Sequence, residues 1–332
     1  MRFRQAIVAA MTDEMKADES VIFFGEDVAV AEGPFKTSEG LLDTYGPIRV
    51  RDTPISEMAF TGAAVGAAMM GMRPVIEIMF MEFLGVALDQ LVTEGAKMHY
   101  LSQGEYSVPM VVRASCGSGL GFGSQHSQTL ENWVAATPGL KVVQPSDAQS
   151  AYSLLRAAIQ DNNPVMFLEP RILYAERGEV DTSLKMTIGE ARVLQEGSDI
   201  TVVSLGNMVN VAREAIAESG ISAELIDLAT LVPWDRQTVL TSVKKTGRLI
   251  VVEESPWSGG WGSEIISYAT AQAFSALKCA PMRITAPDVP VPYNGTLEAR
   301  YVPTSSNVAA ALTLAVNKNE ISQPWWITEG AN

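Results

Sequence analysis

Hydrophobic and polar positions alternate along this chain in two rhythms, and the changes from one to the other predict its elements. Apolar residues at helical spacing predict a first helix over Phe3–Lys16. The unbroken run Val21-Ile22-Phe23-Phe24 that follows reads as a buried strand ending at Gly25-Glu26-Asp27. Four further short apolar runs, Pro74–Met79, Val108–Arg113, Leu140–Val143 and Val165–Leu168, are separated by segments of helical length. That rhythm predicts an α/β fold around a mostly parallel sheet. The period dissolves between Arg177 and Gly189, then resumes with strands at Asp199–Ser204, Ala223–Asp227 and Arg248–Val252. Two doubly wound α/β domains are therefore expected. The first spans residues 1–178, a linker 179–190, a smaller domain 191–320 and a tail 321–332. The indoles of Trp325 and Trp326 in that tail pack either onto the body or onto a partner.

Composition narrows the function. Of 332 residues, 47% are hydrophobic and 19% charged, which suits a folded globular chain rather than a disordered one. Acids outnumber bases 38 to 24, and the net charge of −14 argues against nucleic acid and anionic membrane as partners. There is no apolar run of about 18 residues, and Met1-Arg2-Phe3-Arg4-Gln5 leads directly into an amphipathic pattern, so the expected location is cytoplasmic. Two cysteines, Cys116 and Cys279, and two histidines leave no disulfide framework and no Cys/His zinc site.

An α/β chain invites a search for a phosphate cradle. Gly117-Ser118-Gly119-Leu120-Gly121-Phe122-Gly123 satisfies G-x-G-x-x-G in no register, and a Walker-A motif is missing. The loop is read either as a flexible turn or as backbone that approaches something closely just before His126. Downstream of Asp52-Thr53-Pro54-Ile55, Ser56 is a candidate N-cap of a helix over Met58–Met72. Glu57 at its start is either a dipole-complementing residue or a functional carboxylate. Ala63, Ala64, Gly66, Ala67 and Ala68 suit close packing in a subunit or domain interface. His126 is either a structural histidine or a ligand-facing one, placed where open sheets bind their ligands. His99, in an expected helix over Phe83–Leu101, reads as a packing or surface residue, and no G-x-S-x-G elbow is present.

Taken together, Gly25-Glu26-Asp27-Val28, Asp52–Glu57, Gly71-Met72-Arg73-Pro74, Gln125-His126-Ser127-Gln128, Pro138–Val143 and Asp161-Asn162-Asn163-Pro164 form an ordered series. It continues through Lys245–Leu249, Ser258–Gly262 and Pro287–Tyr293. This series resembles the beta subunit of the decarboxylating component of 2-oxo acid dehydrogenase complexes over about 300 residues.

The resemblance implies a transketolase-like pyrimidine-binding domain, a transketolase C-terminal domain and thiamine diphosphate as cofactor. It implies that Glu57 hydrogen-bonds the aminopyrimidine ring in a dry pocket, favouring the imino form that activates the thiazolium. It places His126 in the channel where a lipoyl group is acylated. Met79 and Phe83 match positions that pack against the aminopyrimidine, and Glu26 an acidic residue near the cofactor. Backbone oxygens around Met110, Ala158, Asp161 and Asn163 align with a potassium site of some relatives.

The family anchors diphosphate through Mg2+ on a Gly-Asp-Gly…Asn motif, and this chain contains no Gly-Asp-Gly. The resemblance therefore implies an alpha subunit carrying that site, in an α2β2 heterotetramer that serves a lipoyl-bearing acyltransferase. Pyruvate is the expected small 2-oxo acid. Branched-chain 2-oxo acids, acetoin and a split transketolase are the alternatives, with a non-catalytic scaffold as the reading outside enzymes.

Overall fold

The computed structural model describes residues 1–329 as two compact units. The first comprises Met1–Cys116 and Trp133–Ile188, the second Gly117–Asn132 and Gly189 onward.

In the first unit the strands are β1 (Val21–Gly25), β2 (Val50–Asp52), β3 (Arg73–Ile78), β4 (Val111–Cys116), β5 (Lys141–Val143) and β6 (Val165–Pro170). They lie in the order β5-β6-β4-β3-β1-β2, every pair parallel. All six residues of β4 and of β6 are buried, as expected of strands covered on both faces. Flanking helices Phe3–Ala17 and Ala148–Gln160 pack on each other, joined by Arg156 Nε on Glu14 Oε1 at 2.7 Å.

One polar cluster interrupts this apolar interior. Arg113 on β4 is fully buried between Glu77 on β3, at 3.1 Å, and Glu169 on β6, at 2.7 Å. The Tyr174 hydroxyl donates to Glu169 and the Thr37 hydroxyl to Glu77. Burial pushes the Glu77 carboxyl above its ordinary range while Arg113 pulls it back down.

Several elements differ from the sequence expectation. The fourth strand begins at Val111, not Val108, because Pro109 has no N–H for the ladder and the Met110 N–H turns back to Val108 C=O at 2.8 Å. The expected helix Phe83–Leu101 is broken into a 3₁₀ turn at Met81–Phe83, a helix at Leu84–Leu88, a π-helical stretch at Asp89–Gly95 and a final turn at Met98–Leu101. The helix predicted over Met58–Met72 runs Glu57–Met69, ended by Gly71 at φ +93.

The second unit contains β7 (Arg192–Gln195), β8 (Ile200–Ser204), β9 (Ala223–Asp227), β10 (Thr230–Val232), β11 (Leu249–Pro256) and β12 (Met282–Ala286). Five of these form a sheet in the order β12-β11-β8-β9-β7, parallel except for β7, which runs antiparallel at the edge. Ile200, Val202, Leu225, Ile250 and Val252 bury one face against helices Met208–Ser219 and Ser305–Lys318. The tail packs back on this unit: Trp325 Nε1 donates to Thr285 C=O at 2.9 Å, and Trp326 meets Trp257 edge-on at 5.9 Å. Among the described residues no helix is long and apolar enough to cross a membrane.

Candidate active site

The carboxyl ends of β1, β2 and β3 share one edge of the first sheet, since Gly25 is in register with Asp52 on one side and Glu77 on the other. Ligands of open α/β sheets bind at such an edge. A Cβ on Gly25 would stand 2.6 Å from the Glu77 carbonyl, so only glycine lets the strands close there. Thr53 N–H donates to Gly25 C=O at 2.9 Å. The Asp52 carboxylate accepts from Ala29 N–H at 2.7 Å and Val30 N–H at 3.2 Å, fixing the segment after β1.

Glu26 and Glu57 meet at this edge. Glu57 opens the helix Glu57–Met69 and is only 7% exposed; Glu26 is 9% exposed. Ser56 occupies the N-cap position but does not cap with its side chain, contrary to the sequence expectation. Its hydroxyl donates to Pro54 C=O at 3.1 Å, while its N–H donates to Glu26. Burial raises the Glu26 carboxyl above its ordinary range, the charge of Glu57 raises it further, and the Ser56 N–H offsets part of the rise.

Three buried polar atoms of this region lack a hydrogen-bond partner among the described residues: Glu26 Oε1, Thr53 Oγ1 and Thr61 Oγ1, the last one turn beyond Glu57. Unpaired buried polar atoms are costly and rare, so Glu26 Oε1 and Thr53 Oγ1, which follow the paired residues Gly25 and Asp52, mark a place where a polar ligand completes the bonding. Met79, the first residue past β3, and Phe83 are half-buried apolar neighbours in sequence of that edge. Phe83 meets Phe80 edge-on at 5.7 Å. Two carboxylates, two hydroxyls and nearby apolar side chains suit a flat ring that both donates and accepts.

The other predicted residue, His126, lies in the second unit. It is half-buried in the loop Gly117–Gln128, its N–H donating to Gly123 C=O at 3.2 Å. Three of the loop's N–H groups, which in principle could cradle phosphate, are occupied by side-chain carboxylates. Gly119 N–H and Gly121 N–H bond the two oxygens of Glu298, and Ser118 bonds Glu254.

His99 is exposed, with Nδ1 3.0 Å from Tyr106 O. Met110, Ala158, Asp161 and Asn163 come together around the turn after helix Ala148–Gln160. The Val165 N–H bonds Met110 C=O and the Asp161 N–H bonds Ala158 C=O. Arg73 donates to the carbonyls of Ile159 and Asp161, both at 2.9 Å, and Lys141 bonds the Asp161 carboxylate. Among the described residues no group of three or more His, Cys, Asp or Glu side chains could hold a metal ion.

Sequence reasoning missed Glu131, Glu254 and Glu298. Glu131 is 2% exposed, accepts from the Ser255 hydroxyl at 3.2 Å, and is pushed up to about 7, first by burial and then by the charges of Glu254 and Glu253. Glu253 is itself pushed up to about 6 by burial, against the pull of Arg283. A lone acid five residues after His126 carries no sequence signal for this, because the neighbours that matter are over 120 residues away.

The folded chain keeps the Glu131 proton between about pH 4.5 and 7 while the unfolded chain has released it, so stability falls as pH rises through that window. The total loss is about 3 kcal/mol. Glu131→Gln is expected to raise the melting temperature by roughly 5 °C or more at pH 8 and to leave it unchanged near pH 5. Equal shifts at both pH values in thermal unfolding would contradict this.

Comparison with known proteins places these features in a wider set. Residues 1–177 match the transketolase pyrimidine-binding domain family and residues 189–308 the transketolase C-terminal domain family. A pyruvate dehydrogenase E1 component subunit beta-2, mitochondrial, of Oryza sativa subsp. japonica is 44% identical, covering 94% of this chain and 85% of the relative. The pyruvate dehydrogenase E1 component subunit beta of Rhizobium meliloti is 43% identical over 94% of this chain and 69% of its own length. The beta subunit of acetoin:2,6-dichlorophenolindophenol oxidoreductase from Cupriavidus necator is 40% identical, covering 94% of this chain and 96% of the relative. A solved split gene transketolase, described as an inactive beta4 tetramer, superposes with a TM-score of 0.80 at 22% identity, covering 96% of this chain and all of the other, and shares the fold.

Proposed function

The chain belongs to the family of pyruvate dehydrogenase E1 component beta subunits, built from transketolase-type pyrimidine-binding and C-terminal domains, and from that premise we propose how it works. It acts as the beta subunit of a thiamine-diphosphate-dependent 2-oxo acid dehydrogenase, with pyruvate as substrate. One observation carries the reading: Glu57 buried at a helix start beside Glu26, whose Oε1 has no partner among the described residues, at the carboxyl edge of a parallel sheet.

The residues present fit the aminopyrimidine half of the cofactor. Glu57 and Glu26 would hold its ring nitrogen and amino group, Thr53 and Thr61 supply further hydroxyls, and Met79 and Phe83 shield the ring from water. Bound there, the cofactor supplies the electron sink for decarboxylation. Glu57, kept dry, fixes a proton at the ring nitrogen, where one hydrogen bond weighs more than it would in water. His126 then moves a proton when the acyl group passes to a lipoyl arm.

Diphosphate and Mg2+ fall to an alpha subunit in an α2β2 assembly, since no Gly-Asp-Gly stands in this chain. A lipoyl-bearing acyltransferase is the acceptor. Arg73 and Lys141 already bring positive charge to the turn at Asp161, and the reading needs no potassium ion there. The relatives named above include a mitochondrial one, so the compartment is the aqueous one that holds the complex, cytoplasm or mitochondrion.

Purified together with its alpha subunit, the chain is expected to reduce 2,6-dichlorophenolindophenol with pyruvate only when thiamine diphosphate and Mg2+ are added. Preference for acetoin would select the second reading, which the Cupriavidus relative supports. No turnover with pyruvate, branched-chain 2-oxo acids or acetoin would overturn both.

A further inference from the structure

The segment before His126 is held by charge. Gly117 N–H donates to Gln128 C=O at 3.2 Å and closes a compact loop of the Ω kind. Within it Gly117, Gly119, Gly121 and Gly123 all have φ between +73 and +95, a backbone that gains nothing from side-chain packing at those positions and loses much entropy on ordering. Two carboxylates order it. Glu254 Oε1 accepts from both Ser118 N–H, at 2.7 Å, and Ser118 Oγ, at 2.8 Å. Glu298, 3% exposed at the end of the short helix Gly295–Glu298, accepts from Gly119 N–H on one oxygen at 2.8 Å and Gly121 N–H on the other at 2.9 Å. Farther along, the Ser124 hydroxyl donates to Val291 C=O at 2.6 Å, two residues before His126. The side chains of Leu120 and Phe122 at the tip are exposed.

We propose that Glu298, with Glu254, is a positioning residue: its forked carboxylate fixes the glycine loop and thereby the place of His126 for acyl transfer. The inference rests on the function proposed above. Charge-assisted bonds to two N–H groups at once set both the position and the tilt of the loop, which a single neutral acceptor cannot do. Both Glu298 oxygens are engaged by the loop, so its loss should slow the step that uses His126 and spare the step that uses Glu57.

The test uses the α2β2 enzyme carrying Glu298→Gln or Glu298→Asp, with a lipoyl domain as acceptor. In Glu298→Gln, backbone amides of residues 118–126 are expected to exchange with solvent about 10-fold faster or more. The kcat for lipoyl acylation should fall about 10-fold or more, with pyruvate-dependent dye reduction within about 3-fold of wild type. Glu298→Asp, which keeps the charge on a stem one methylene shorter, should fall between the two in exchange and in acylation. Unchanged exchange overturns the clamp, and so does an equal loss of dye reduction and acylation. A wild-type enzyme with no 2-oxo acid turnover would sink the proposed function instead; exchange alone then judges the clamp, and an unaltered loop in Glu298→Gln overturns it.

Discussion

Replacing Glu57 by alanine is expected to cut pyruvate-dependent dye reduction by the α2β2 enzyme about 10³-fold while the heterotetramer still assembles. The carboxylate is 7% exposed and stands beside Glu26 at the edge of the first sheet. In that dry setting no water can take over a hydrogen bond to the cofactor ring, so the loss falls on the chemical step. Alanine is a good helix former, and the helix Glu57–Met69 begins without a side-chain cap, so folding should tolerate the change. Native mass reports assembly and dye reduction reports chemistry. Turnover within about 10-fold of wild type, in an intact tetramer, would remove Glu57 from the mechanism.

A second large effect concerns stability. Arg113→Met should destabilise the chain by about 3–5 kcal/mol, because it strands Glu77 and Glu169 in an apolar interior without their shared cation. For a unit of this size that is a melting-temperature loss of roughly 10 °C. The penalty should shrink in acid, where the Glu77 carboxyl, raised by burial, binds its proton and the interior holds one charge fewer. Adding Glu169→Gln to Arg113→Met should recover part of the loss at neutral pH. A pH-independent loss in thermal unfolding would mean that the arginine stabilises by packing on the Phe23 ring, 5.5 Å away, and not by charge.

Much of this was legible in the chain. Runs such as Val21–Phe24 and Val165–Leu168 announce strands because a strand buried on both faces must be apolar throughout. Glu57 and His126 stand in ordered motifs, and the structure buries the first beside Glu26 and sets the second in a tied loop. What stayed hidden depends on partners distant in sequence. Arg113 reads as the polar end of a strand, yet β4 continues three residues beyond it, because Glu77 and Glu169 neutralise it from neighbouring strands. Edge strands β2 and β7 are too short or too exposed to leave an apolar run. The carboxylates that hold the glycine loop come from 136 to 179 residues away and match no local pattern. The indole of Trp325 could have faced a partner; only the folded chain shows it bonded to Thr285.

Gly117 and Gln128 are one hydrogen bond apart, so the loop between them begins and ends at nearly the same point in space. A segment anchored in this way can be exchanged for another of different length or composition without moving the elements that flank it, at a small cost in closure entropy. Strand and helix frameworks can then stay fixed across a lineage while this cassette diverges. For protein engineers it is the natural graft point, provided that the graft keeps His126 and the N–H groups held by Glu254 and Glu298.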